Sequence, residues 1–172
     1  MIKEISTIKE FQELCQQFFN KKHIFFWKQR SCKKVGDYDL NSIENLIQNL
    51  FFQNLSSDKN KLPRLKIWAD KKNSNYTCVG VFMGSICQLT NKTVFQDLIW
   101  QTKGKLATTF LEKKTLLDIL RTAEAFAKKN NFDSFRVTRD VSHHSIGRQK
   151  ITNFYTNSGF SPAIITYVKK LN

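Results

Sequence analysis

The chain has 172 residues, 41% of them hydrophobic and 13% aromatic, which excludes a disordered tail and is long enough for one domain with its own core. Its 28 Lys and Arg against 14 Asp and Glu leave a net charge of +14. That charge favours polyanions: nucleic acid, an anionic surface, or a phosphorylated small molecule such as coenzyme A. The lysines fall in scattered pairs, so a solvated basic surface is expected before a dedicated nucleic-acid groove. No apolar signal core opens the chain, and no stretch approaches the roughly 18 apolar residues of a membrane span. A cytoplasmic protein without a membrane role is expected.

In chain order, residues 1–6 read as a short strand. Thr7-x-x-Glu10 has the form of a capping box. The helix it starts carries Ile8, Phe11, Leu14, Cys15, Phe18 and Phe19 on one stripe. The apolar run His23-Ile24-Phe25-Phe26-Trp27 fits either a strand or an aromatic plug under a loop. Asn41-x-x-Glu44 opens a second helix with Ile43, Leu46, Ile47, Leu50 and Phe51 on its buried face. Residues 56–63 are polar and read as a loop. Three strands follow, at 65–69, 76–86 and 93–101, with Asn73-Ser74-Asn75 turning the first into the second. A long amphipathic helix spans 115–130 and a strand 134–138. A short helical stretch then ends in Asn153-Phe154-Tyr155-Thr156-Asn157-Ser158-Gly159-Phe160, and a last strand covers 163–168. Gly159 suits a helix C-terminus, where a residue without Cβ takes the left-handed conformation. With only 6 glycines and 2 prolines, few of the turns can rely on glycine. Cys15, Cys32, Cys78 and Cys87 form no Cys-x-x-Cys pair and are expected as buried free thiols in a reducing compartment.

This order, with Val79-Gly80-Val81-Phe82 in the middle strand, Ala123-Glu124-x-Phe126-Ala127 in the long helix and the Phe154-Tyr155…Gly159-Phe160 run, resembles the GNAT superfamily of N-acetyltransferases. The resemblance covers nearly the whole chain. It implies an α+β fold in a single domain, 1–172, with a mixed, mostly antiparallel sheet flanked by helices. It further implies acetyl transfer from acetyl-CoA to an amine acceptor, a small molecule or a protein.

Such a transfer needs an amine that loses a proton, a stabilised carbonyl oxygen and a protonated leaving thiolate. The resemblance makes Tyr155 the acid; its ordinary pKa near 10 suits donation to a thiolate. A packing role for Tyr155 stands beside that. Asp97, within Phe95-Gln96-Asp97-Leu98-Ile99-Trp100, is the candidate base; aspartate is uncommon in a central strand. The alternative is a solvated or register-setting aspartate. Main-chain groups of Trp100, Gln101 and Thr102 would contact the acetyl carbonyl.

The diphosphate loop departs from the family pattern. Where its glycines are expected, residues 108–114 have none, and the nearest glycine is Gly104. Either the helix N-terminus still binds phosphates, helped by Lys103, Gly104, Lys105, Thr108 and Thr109, or the cofactor site is lost and only the scaffold remains. Phe110, Leu111 and Glu112 are poor neighbours for a diphosphate. Arg148 occupies the position of a family asparagine and either contacts a phosphate instead or simply covers the surface. His143 and His144 are adjacent, lack acidic or thiol partners and indicate no metal site. The competing class is a non-catalytic binding or structural protein, including a phage component, with nucleic acid as a partner. The sequence leaves oligomeric state open.

Overall fold

The computed structural model describes residues 1–18, 40–56, 62, 64–102, 110–137, 153 and 155–161. The aromatic run 23–27 and the last expected strand, 163–168, lie outside them. The chain divides into two compact units, one of Met1–Phe26 with Asp39–Thr138 and one of Trp27–Tyr38 with Arg139–Asn172.

The first unit is built on a five-stranded sheet in the order β1-β2-β3-β4-β5. Its elements are β1 (Ile2–Glu4), α1 (Ile8–Phe18), α2 (Leu40–Ser56), β2 (Arg64–Lys72), β3 (Asn75–Cys87), β4 (Lys92–Thr102), α3 (Phe110–Lys129) and β5 (Ser134–Arg136). Neighbouring strands run antiparallel except β4 and β5, which are parallel. This is the mixed, mostly antiparallel α+β architecture that the family resemblance implies.

The start of α1 follows from its capping box. The Glu10 N–H donates to Thr7 Oγ1 at 3.3 Å, and the Thr7 N–H donates to Glu10 Oε2 at 3.2 Å. Two main-chain donors that a helix start leaves open are thereby satisfied. Lys3 also donates to Glu10 and, as the leading cause, holds its carboxyl down at about 2. Phe11, Leu14 and Phe18 are buried as expected, and Phe11 stacks on Phe51 of α2 with ring centroids 4.2 Å apart. Ile8 and Leu46, expected on the buried stripes, are instead 47% and 48% exposed. Each lies at the margin of its stripe, where helical periodicity alone does not separate inside from rim.

The strand pleat sends Trp68, Phe82 and Phe95 to the face under α3, and Ile67, Val79 and Val81 to the face under α1 and α2. All six are buried. Each such side chain contributes about 1.5–3 kcal/mol of transfer free energy.

Asparagine and serine replace glycine where the backbone must turn left-handed. Asn73 (φ 48) and Ser74 (φ 64) form the two-residue link between β2 and β3, a geometry whose twist matches the strands it joins. Asn131 (φ 55) ends α3: its N–H donates to Lys128 O at 3.2 Å, and Phe132 N–H donates to Ala127 O at 3.1 Å. That pair of bonds is a Schellman ending, usually built on glycine.

Candidate functional site

The fourth strand changes character half-way along. In its first half Val94, Phe95 and Gln96 pair with Ser134, Phe135 and Arg136 of β5 on one side and with Ser85, Gly84 and Met83 of β3 on the other. Asp97 then pairs with Phe82, but Ile99 pairs with Val81, so Leu98 is an extra residue. A bulge of this kind bends a strand, increases its twist and often ends pairing on one side. Among the described residues the β4–β5 ladder stops at Gln96, one residue before the bulge, while β3 continues to pair as far as Thr102. From Asp97 onward the edge of β4 away from β3 has no partner strand among the described residues.

Asp97 stands at this point. Residues paired across strands share a face, so its side chain lies on the α3 face with Phe82 and Phe95. It is half-buried. Around it the α3 face is an aromatic cluster centred on Phe95, whose ring centroid lies 5.1 Å from Phe126, 5.2 Å from Phe132, 5.8 Å from Phe82 and 6.1 Å from Phe135. The half-buried carboxylate of Asp97 thus shares its face of the sheet with a packed aromatic cluster. Trp100, Gln101 and Thr102 continue the strand in register with Gly80, Val79 and Cys78.

Tyr155 lies in the second unit, in the helical turn before Gly159. Gly159 has φ +84, its N–H donates to Thr156 O at 3.0 Å, and Phe160 N–H donates to Tyr155 O at 3.0 Å. This is a second Schellman ending, with the expected glycine at its left-handed position. The hydrophobic contact that accompanies such an ending joins the residues Tyr155 and Phe160, whose rings meet edge to face at 5.8 Å. The spacing of tyrosine, glycine and phenylalanine thus has a mechanical basis, and the ring of the half-buried Tyr155 is held by it.

The remaining candidates, Lys103, Gly104, Lys105, Thr108, Thr109 and Arg148, lie outside the described residues, as do His143 and His144. No group of three or more His, Cys, Asp or Glu side chains suited to a metal occurs among the described residues. None of the described helices is long and apolar enough to cross a membrane.

Sequence reasoning missed two features. One is the bulge, signalled by Gln96-Asp97 followed by Leu98-Ile99-Trp100, where strict alternation breaks. The other is Cys87. It was expected to be buried but is half-exposed, as is Cys15, whereas Cys78 is buried. The Thr90 hydroxyl first, then the main-chain N–H groups of Leu89 and Thr90, bring the Cys87 thiol down to about 7, with Arg136 adding to them.

No family model matches the chain, and no curated protein matches it in sequence. Solved structures do match over the full length. A protein described as a "probable acetyltransferase" has a TM-score of 0.62 at 15% identity, covering 100% of this chain and 98% of that one. An aminoglycoside acetyltransferase from an uncultured soil metagenomic sample, in complex with trehalose, has a TM-score of 0.56 at 11% identity, covering 100% and 96%. The ribosomal-protein-alanine N-acetyltransferase of Brucella melitensis biovar Abortus 2308 has 0.55 at 12% identity, covering 99% of each chain. The chain has the GNAT fold. Within this fold, Asp97 stands beside the bulge in β4, where the described β4–β5 pairing has ended.

Proposed function

We propose that the protein is an N-acetyltransferase that moves an acetyl group from acetyl-CoA to an amine by direct attack. The observation that carries this reading is that, among the described residues, the β4–β5 ladder ends at Gln96, just before the bulge at Leu98. An unpaired strand edge offers main-chain donors and acceptors to a linear ligand rich in amides, as an added strand would. The pantetheine arm of acetyl-CoA is such a ligand. The N-terminus of α3, whose first-turn N–H groups have no partner within the helix, suits its diphosphate.

In this scheme Asp97, or a water it holds, accepts the proton that the attacking ammonium gives up. The amine nitrogen forms its bond to the thioester carbonyl carbon, and main-chain groups of Trp100, Gln101 and Thr102 stabilise the carbonyl oxygen as charge builds. The carbon–sulfur bond breaks as the nitrogen loses its second proton to solvent; Tyr155 gives a proton to the departing thiolate and regains one from solvent, and Asp97 releases to solvent the proton it accepted. The products are the acetylated amine and free coenzyme A. Lys103, Gly104, Lys105, Thr108, Thr109 and Arg148 are assigned to the phosphates. The net charge of +14 favours an acidic acceptor as well as the cofactor.

One observation favours a scaffold without catalysis. The Schellman ending accounts for Tyr155, Gly159 and Phe160 without any chemistry. In that reading the basic surface serves a polyanion, such as nucleic acid in a phage particle. Calorimetric titration with acetyl-CoA separates the two: saturable binding supports the enzyme. Absence of binding, together with a salt-sensitive gel shift on nucleic acid, overturns it in favour of the scaffold. In the enzyme, Tyr155→Phe is expected to cut turnover by about 100-fold with acetyl-CoA affinity nearly intact. Equal turnover removes Tyr155 from the mechanism.

A further inference from the structure

Gly80 pairs with Trp68 of β2 and with Trp100 of β4, two residues beyond the extra Leu98. A Cβ at this position would lie 2.6 Å from Ile119 Cγ2 and 2.6 Å from Phe82 Cε2. Carbons attract each other best at about 3.5–4.0 Å, so a methyl group here forces movement. The Phe82 ring is hemmed in by Trp68, Phe95 and Phe135, with centroids 5.7, 5.8 and 5.9 Å away. Ile119 is 0% exposed and belongs to α3, which can shift as a rod. The missing side chain therefore lets α3 seat directly on the β3 backbone beside the bulge.

From Ile119 back to Phe110 the helix runs about 14 Å, at about 1.5 Å per residue. The contact at Gly80 thus sets where the first turn of α3 stands relative to Leu98. We propose that Gly80 is a positioning residue which, through Ile119, fixes the separation between β4 beyond the bulge and the N-terminus of α3, the two places that one acetyl-CoA molecule must reach together. This rests on the acetyltransferase reading above. A ligand that engages two places gains from both only when their spacing matches its own length.

The test is calorimetry with two probes, acetyl-CoA and its phosphoadenosine diphosphate fragment, which lacks the pantetheine arm. In Gly80→Ala, acetyl-CoA affinity is expected to fall about 10–100-fold while fragment affinity stays within about twofold. Ile119→Leu removes the colliding Cγ2 at constant volume, and combined with Gly80→Ala it should recover most of the loss. Ile119→Val keeps Cγ2 and should lower Tm without changing the ratio of the two affinities. If Gly80→Ala does not fold, Ile119→Ala carries the test, since it removes the contact without adding bulk and should weaken acetyl-CoA more than the fragment. Equal losses for both probes, or no loss in a folded variant, overturn the positioning role and leave the enzyme reading standing. A wild-type protein that binds no acetyl-CoA overturns both.

Discussion

The two halves of β4 have the same backbone chemistry and different neighbours. Residues 94–96 lie between β3 and β5, and Val94 and Phe95 are 2% and 0% exposed. The start of β5 is tied to this half, with Thr93 N–H and Oγ1–H both donating to Asp133 Oδ2 at 2.8 Å. Beyond Leu98 the strand keeps β3 and, among the described residues, loses its partner on the other side. One extra residue separates a segment that holds the sheet together from the segment to which the proposed function assigns the ligand. In the proposed enzyme, stability and chemistry occupy adjacent parts of one strand, and substitutions in each should read out differently.

The largest expected effect is in the covered half. Phe95→Ala removes the ring that Trp68, Phe82, Phe126, Phe132 and Phe135 all touch, and should cost about 3–5 kcal/mol in chemical denaturation. The fraction that remains folded should keep its acetyl-CoA affinity. Two residues on, Asp97→Asn changes little volume, and its expected signature is the reverse: turnover down by about 100-fold with the unfolding midpoint nearly unchanged. An Asp97→Asn protein that unfolds as early as Phe95→Ala yet turns over normally would erase the distinction between the halves and return Asp97 to a register-setting role.

Most of the architecture was legible because the periodic signals are strong where burial is complete. The Thr7-x-x-Glu10 box, the stripe of Phe11, Leu14 and Phe18, the Asn73-Ser74 turn and the Gly159 ending all appear where local sequence places them. Rim positions such as Ile8 and Leu46 were misplaced, because a stripe has no sharp margin. The long helix was expected from residue 115 and begins at Phe110, since its first turn carries no apolar stripe to announce it. The bulge at Leu98 depends on cross-strand registry, which no single strand encodes, and the seat of Ile119 on Gly80 depends on a helix some forty residues downstream. Tyr155 was legible as a motif, but the motif has two physical explanations, one mechanical and one chemical. Residue spacing cannot choose between them, whereas turnover of Tyr155→Phe can.

The smallest expected effect returns to the covered end of β4, at Cys87, which pairs with Lys92 across the β3–β4 turn. Hydrogen bonds from the Thr90 hydroxyl, then from the Leu89 and Thr90 N–H groups, favour the thiolate, and Arg136 adds to them. Because the thiolate is the nucleophile, alkylation of Cys87 by iodoacetamide should rise with pH to a half-maximal rate at about 7, well below an ordinary cysteine. The linkage has a definite sign. The thiol's folded-state value is depressed, so its contribution to stability is complete above the unfolded value, near 8.5, and is lost as pH falls through about 7. Thr90→Val removes the leading donor and should move the alkylation midpoint upward. A midpoint that stays in place would assign the shift to the main-chain donors and Arg136, and would leave the Thr90 hydroxyl as a contact of the turn alone.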